Sequence, residues 1–347
     1  MSKVLFRVDA GQILHVAMGH AFRCVSLAED LKDKGEEVVF LMREDPLGND
    51  FVRSRGFQVL TLSSDRDITQ STAKILDLEP NLVVFDLLHL EEAETRLIHE
   101  ARIPVVVIDD LGQKTVHADL VVNGNILDSH HEYAGHIGNK LLGPSFIVLG
   151  RQFDGRRNER VNPELDKILV TMGGADPMGF TPTVVKSLVE NNIGKSITVV
   201  QGPAFGSRSD MKNIHFGMKT QVRVQENVPD LSMLMVAADL VVSAGGRTAY
   251  ELAATGTPSV LVPTADHEVE VAQALVASGA AKAVAVAAEE CIRSELAVLV
   301  EEAADLATRQ RMAQAGLRLV DGKGRERVTN ALMELGQRSV GTGWGKS

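Results

Sequence analysis

Ser243, Ala244, Gly245, Gly246, Arg247, Thr248, Ala249, Tyr250 and Glu251 form the run best suited to hold a ligand. The paired glycines bare the backbone amides between an apolar strand and a helix. A helix start offers unsatisfied N–H groups and the positive end of the peptide dipole, so a diphosphate fits there. Arg247 and Thr248 add donors, and Glu251 lies about one turn inside, where its carboxylate can accept both hydroxyls of a ribose. The plainer reading is a Gly-Gly turn with a first-turn glutamate that the dipole favours anyway. A second run holds Asp9, Gly19, His20 and Arg23. Gly19 admits close backbone approach and His20 starts a helix, whose N–H groups disfavour a protonated ring. A neutral imidazole there is competent as a general base, although a capping or exposed histidine has the same pattern. A third run, Met172, Gly173, Gly174 and Asp176, puts paired glycines at a strand end, where positive φ and close ligand contact are allowed.

Other motifs carry less. The chain has no Walker pattern, no Gly-x-Gly-x-x-Gly fingerprint and no serine nucleophile elbow. Asp109 and Asp110 read as a loop-capping pair, because no matching carboxylate or histidine spacing for a metal surrounds them. His130, His131 and His136 read as a solvated polar cluster. Neither a metal nor a cofactor is expected.

The elements that must position these runs alternate strand and helix, twice over. Residues 3–8 form a β-rich run, and Cys24, Leu27, Ala28 and Leu31 then follow the i, i+3, i+4, i+7 spacing of one helix face. Further strands read at 38–41, 57–60, 82–85, 105–108 and 120–122. Gly35, Gly56, Gly256 and Gly279 each close a helical stretch before a strand. Residues 143–166 break the rhythm, and strands resume at 168–172, 197–200, 222–224, 240–242 and 260–262. Helical patterns fill about 288–336. Continuous apolar strands between helices mean parallel sheets covered on both faces. In such sheets ligands bind beyond the carboxyl ends of the strands.

With 347 residues, two domains are expected at roughly 100–200 residues each. The reading gives an N-terminal domain over 1–150, a crossing over 151–166, a C-terminal domain over 167–336 and a flexible tail over 337–347. A ligand cleft between two α/β halves is the natural arrangement. The net charge of -10 disfavours nucleic acid and anionic membrane surfaces, and 4% aromatics cannot supply stacking platforms. Cys24 and Cys291 are too few for a disulfide framework and read as reduced thiols in helices. No apolar run approaches the ~20 residues of a membrane helix, and no signal segment is apparent. A cytoplasmic protein without integral membrane contact, a monomer or weak homo-oligomer, is expected.

Over roughly residues 1–285 the chain resembles the UDP-sugar hydrolases of pseudaminic acid biosynthesis and the related spore-coat polysaccharide proteins, of the glycosyltransferase-B (GT-B) superfamily. The matching pieces are Arg7 to Asp9, Gly19 and His20 with Arg23, Leu27 and Ala28, Ile108 to Asp110, Asn123 with Asn125, Met172 to Gly174 with Asp176, and 245–251. The resemblance implies an α/β GT-B fold, two Rossmann-like parallel-sheet domains facing across a cleft. It implies metal-independent, inverting hydrolysis of a UDP-linked acetamido-deoxysugar, in nonulosonic acid or surface polysaccharide biosynthesis. His20 is then the base that activates water. The substrate contacts fall at Asp9, Gly19, Arg23, Asp110, Gly173, Gly174, Gly245, Gly246, Arg247, Thr248, Tyr250 and Glu251. The chain departs from the hydrolase pattern at Ala17, where a glycine is usual, at Leu87 and Leu88, where His-Tyr is common, at residues 149–153, and at the acidic stretch Asp266, His267, Glu268. A GT-B glycosyltransferase using a UDP-sugar donor, an epimerase acting through transient UDP elimination, and a non-catalytic sugar-nucleotide-binding protein remain alternatives.

Overall fold

The computed structural model describes residues 2–11, 16, 18–63, 67–158, 161–174, 176–202, 205, 211, 220–226 and 228–341. The flexible tail expected over 337–347 lies largely outside them. The chain divides into two compact units, residues 1–150 with 323–347, and residues 151–322.

In the first unit, β1 (Lys3–Val8), α1 (Gly19–Asp33), β2 (Glu37–Arg43), α2 (Pro46–Ser54), β3 (Gln58–Leu62), α3 (Ile68–Leu78), β4 (Leu82–Asp86), α4 (Glu92–Glu100), β5 (Val105–Ile108), β6 (Lys114–Asn123) and β7 (Tyr133–Leu142) follow in order. The strands pair in parallel as β3-β2-β1-β4-β5-β6-β7. Val4, Phe6 and Val8 pack one face with Leu27 and Leu31 of α1, while Leu5, Val83 and Phe85 pack the other with Ile75 and Ile98. Two-residue alternation in strands buried on both faces produces this division. β7 was not read from the sequence. It is an edge strand whose side chains are mostly exposed or half-buried, so its hydrophobic signal is weak.

In the second unit come β8 (Lys167–Thr171), α5 (Thr181–Glu190), β9 (Ser196–Gln201), β10 (Gln221–Glu226), α6 (Leu231–Ala237), β11 (Leu240–Ser243), α7 (Arg247–Thr255), β12 (Ser259–Leu261), α8 (Asp266–Ala277), β13 (Lys282–Ala283), α9 (Glu289–Glu302) and α10 (Leu306–Leu319). Its sheet is again parallel, in the order β10-β9-β8-β11-β12-β13.

One boundary differs from the sequence reading, which kept residues through 336 in the C-terminal domain. The last helix, α11 (Gly324–Gly341), belongs to the first unit. Its Val328 and Leu332 enter the same buried cluster as Phe6 and Leu27, Arg325 pairs with Asp30, and Arg327 donates to the Ser145 carbonyl at 2.8 Å. A Cβ on Gly324 would stand 2.2 Å from the Ile147 carbonyl oxygen, so the helix enters in direct contact with backbone.

Each sheet reverses its strand order once, between β1 and β4 in the first unit and between β8 and β11 in the second. At such a switch point the loops leaving adjacent strands diverge and open a crevice beyond the strand ends.

Candidate functional site

In the first unit the switch point gathers five polar side chains. β4 ends on Asp86, which is 0% exposed and one pleat on from Phe85 of the opposite face. α1 begins nearby, and its His20, Arg23 and Cys24 are spaced i, i+3, i+4, so they share one helix face. His20 Nδ1 lies 2.6 Å from Asp86 Oδ1, and Arg23 donates from Nε to Oδ2 and from Nη2 to Oδ1, both at 2.6 Å. The Cys24 thiol reaches Oδ2 at 3.2 Å. Arg23 Nη1 also donates to both oxygens of Asp110, at 2.6 and 2.7 Å.

Burial alone would raise the Asp86 carboxyl, but Arg23 and His20 outweigh it and hold it far below the ordinary carboxylate range. Asp110 is likewise held low, with Arg23 overcoming desolvation. Burial alone would lower Arg23, yet Asp110 and Asp86 keep it well above its ordinary value. Asp86 is therefore an ionised acceptor. The short contact makes His20 Nδ1 the donor, and a neutral ring then carries its lone pair on Nε2. Arg23 Nη2 is 3.3 Å from the same Nδ1, and two donors at that distance are in contact without a bond. The His20 side chain is 15% exposed. The sequence reading supplied His20, Arg23 and Asp110 but missed Asp86, the acid that joins them. Its signal is an acidic residue closing a continuously apolar strand.

Gly19 opens α1, and a Cβ placed there would meet nothing within 4 Å. Asp9 stands apart from the histidine. Its carboxylate accepts from Arg7 Nη1 at 2.6 Å and from Arg43 Nε and backbone N at 2.8 and 2.9 Å. With Arg7, Arg43, Ser71 and Glu94 it lines a cavity of about 40 Å³. Burial would raise Asp9, but Arg7 and Arg43 hold it below its ordinary value.

The Asp109–Asp110 pair divides. Asp109 caps its loop, accepting from the Gly112 amide at 2.6 Å, Lys114 Nζ at 2.5 Å and the Tyr133 hydroxyl at 3.0 Å. Asp110 faces Arg23 instead. Of the three histidines, His136 is exposed as expected, while His130 and His131 are half-buried. His130 Nδ1 sits 3.1 Å from the Asp110 carbonyl, His131 Nε2 sits 2.9 Å from the Asn125 carbonyl, and the His136 ring packs on His99 at 4.7 Å.

In the second unit, β8 runs into Gly173 and Gly174, and β11 into Gly245 and Gly246, from strands that pair side by side. Gly173 has φ +74, which explains its identity, and a Cβ on either Gly173 or Gly174 would meet nothing within 4 Å. Asp176 caps α5, accepting from the Phe180 and Thr181 amides at 2.9 Å each. Gly246 is the N-cap of α7, and Arg247 and Thr248 in its first turn are half-buried. Glu251 is half-buried as well, and burial raises its carboxyl more than Arg247 lowers it. Tyr250 is 5% exposed and packs inward, leaving little surface to a ligand, because it falls on the buried side of α7 with Ala249 and Ala253. Gly245 and Gly246 lie against Glu268 of α8, a neighbour the sequence reading did not foresee.

Among the described residues, no helix is long and apolar enough to cross a membrane. Residues 168–323 match the glycosyltransferase family 28 C-terminal domain. The spore coat polysaccharide biosynthesis protein SpsG of Bacillus subtilis is 24% identical over 331 residues, covering 93% of this chain and 96% of that protein. Uncharacterized protein MJ1062 of Methanocaldococcus jannaschii is 27% identical over 263 residues, covering 72% of this chain. The pseudaminic acid cytidylyltransferase and UDP-2,4-diacetamido-2,4,6-trideoxy-beta-L-altropyranose hydrolase of Helicobacter pylori is 26% identical over 197 residues, 54% of this chain. The alignments span 53% of the Methanocaldococcus protein and 35% of the Helicobacter one. Among solved structures, Acinetobacter baumannii MurG superposes with a TM-score of 0.71 at 15% identity, covering 96% of this chain and all of that one. Anabaena Alr3699/HepE in complex with UDP-glucose gives 0.59 at 14%, with the same coverage of both chains. The chain thus has the GT-B fold, two parallel-sheet α/β domains, and residues 168–323 of its second unit are similar to the glycosyltransferase family 28 C-terminal domain.

Proposed function

We propose that the protein is an inverting hydrolase of a UDP-linked acetamido-deoxysugar, acting in the cytoplasm in nonulosonic acid or surface polysaccharide biosynthesis. The observation that carries this is the 2.6 Å contact between His20 Nδ1 and Asp86, a buried carboxylate fixed by Arg23. In this reading His20 Nε2 takes a proton from water as its oxygen attacks the anomeric carbon. The bond from that carbon to the diphosphate oxygen breaks, and UDP leaves with the electron pair. The Asp86 carboxylate at Nδ1 stabilises the imidazolium that forms when the ring gains its proton. The first turn of α7, with Arg247 and Thr248, meets the charge of the departing diphosphate, and Glu251 holds the ribose. Preformed donors of this kind lower the barrier without requiring a cation. In the same reading Gly19 and Asp110, beside His20 and Arg23 in the first unit, and Gly173 and Gly174, just past the strand next to β11 in the second, are further substrate contacts, and Asp9 lines a separate cavity of the first unit.

The family 28 match supports a second reading, a GT-B glycosyltransferase in which His20 deprotonates an acceptor hydroxyl instead of water. One experiment separates the two. Purified protein is incubated with UDP-linked acetamido-sugars and a chelator, without any acceptor, and followed by phosphorus and proton NMR. The hydrolase reading expects UDP and the inverted free sugar to appear together. Sugar nucleotide that persists until an acceptor is added supports the transferase and overturns the hydrolase.

A further inference from the structure

The paired glycines that open α7 have a second occupant beside them. β12 neighbours β11 in the sheet, so the start of α8 comes alongside the start of α7. Glu268, in the first turn of α8, accepts at Oε2 from the Thr264 amide at 2.7 Å and the Thr264 hydroxyl at 2.8 Å. Those bonds fix the carboxylate over the loop. A Cβ on Gly246 would stand 2.7 Å from Glu268 Oε1, and one on Gly245 would stand 3.0 Å from the Glu268 carbonyl oxygen and 3.1 Å from its Cβ. Any side chain at either position would displace Glu268, so the glycines accommodate this residue as well as a ligand. A carboxylate is thereby held in contact with the N-cap of the helix assigned to the diphosphate.

A second feature lies at the end of the strand that leads into these glycines. The Ser243 hydroxyl, at the end of β11 and just before the glycines, is buried and has no hydrogen-bond partner among the described residues. Burying a donor unpaired is costly, which favours a group arriving to meet it. Resting on the nucleotide reading above, we propose that Glu268 selects by charge, weakening the hold on free UDP more than the hold on the UDP-sugar. In the sugar nucleotide the terminal phosphate is esterified. In free UDP it carries one further ionisable oxygen, which is largely deprotonated near neutral pH. A fixed negative group beside the diphosphate repels that extra charge and speeds product departure. The acidic stretch 266–268, which departs from the relatives' pattern, gains a role in this way.

The test uses the full chain in a His20→Ala background, so that sugar nucleotide is not consumed. Dissociation constants of UDP and UDP-N-acetylglucosamine are measured by calorimetry with and without Glu268→Gln, which keeps an acceptor for Thr264. In the water-filled surroundings of an open loop, one unit charge about 4 Å from a carboxylate is worth roughly 5-fold in affinity, and more where water is excluded. The ratio of the two constants is therefore expected to shift about 5-fold or more in favour of UDP in the Gln variant. Partial unfolding scales both constants alike and cancels in the ratio. A ratio unchanged within about twofold, with both ligands bound, overturns the role of Glu268 and leaves the nucleotide site standing. No UDP binding by either protein overturns the nucleotide site and this inference with it.

Discussion

Asp86→Asn is the sharpest perturbation of the first unit. The carboxylate accepts from His20, twice from Arg23 and from the Cys24 thiol, with no exposure to solvent. An amide of the same shape offers one acceptor oxygen and turns its NH2 toward groups that are themselves donors. Arg23 keeps Asp110, but half of its buried ion pairing is gone. Breaking a fully buried pair costs about 3–5 kcal/mol. At roughly 2–4 °C per kcal/mol for a domain of this size, the melting transition of the first unit should fall by about 6–20 °C. The rate should fall further than folding alone accounts for, because Nδ1 loses the acceptor that fixes the tautomer. In a carboxylate–imidazole pair working as a base, the corresponding change costs on the order of 10³–10⁴ in turnover. The assay is UDP release followed by phosphorus NMR, well below the variant's melting transition, with differential scanning calorimetry on the same sample. Asp110→Asn, which removes the other half of the Arg23 pairing and keeps the Asp86–His20 contact, should lower the melting transition without releasing Nδ1 from its acceptor. A folded Asp86→Asn protein within threefold of the parent rate, melting with the parent, would refute the argument.

Three further outcomes follow from the same geometry. His20→Ala should cut turnover by at least 10²-fold while leaving the UDP dissociation constant within about threefold, as expected of a general base; retention of most of the rate removes His20 from that role. Glu251→Gln should weaken UDP roughly 10-fold and leave uracil-free pyrophosphate binding unaltered, by calorimetry; equal losses for both ligands would move Glu251 off the ribose. Acid should act oppositely on the two groups of site carboxyls. Asp86, Asp110 and Asp9 have lowered carboxyls, so their stabilisation is complete above the unfolded value near 4 and is lost as pH falls below it. Glu251 is raised, so it is relatively favoured by the same descent, and calorimetry from pH 6 to pH 3 should show Asp86→Asn losing less stability than the parent while Glu251→Gln removes the relative gain.

Much of this arrangement is legible in the chain because apolar strands and helix-closing glycines are local signals. The i, i+3, i+4 spacing of His20, Arg23 and Cys24 puts them on one face before any coordinates exist. What escaped is what depends on distant pairing. Asp86 lies 66 residues from His20, and nothing local says that β4 enters beside β1. Tyr250, among the substrate contacts that the resemblance implies, is turned inward by helical phase. Glu268 met Gly246 through the adjacency of β11 and β12, which sequence order alone does not disclose.

The last helix carries a consequence for how the polypeptide is made. Because Val328 and Leu332 of α11 complete the cluster around Phe6 and Leu27, the first unit is stitched from both ends of the chain. Residues 151–322 can finish folding on the ribosome while their predecessor still waits for its closing piece. A nascent chain halted before residue 323 would present an open apolar seam to chaperones, while an excised 151–322 fragment would bring its whole core with it.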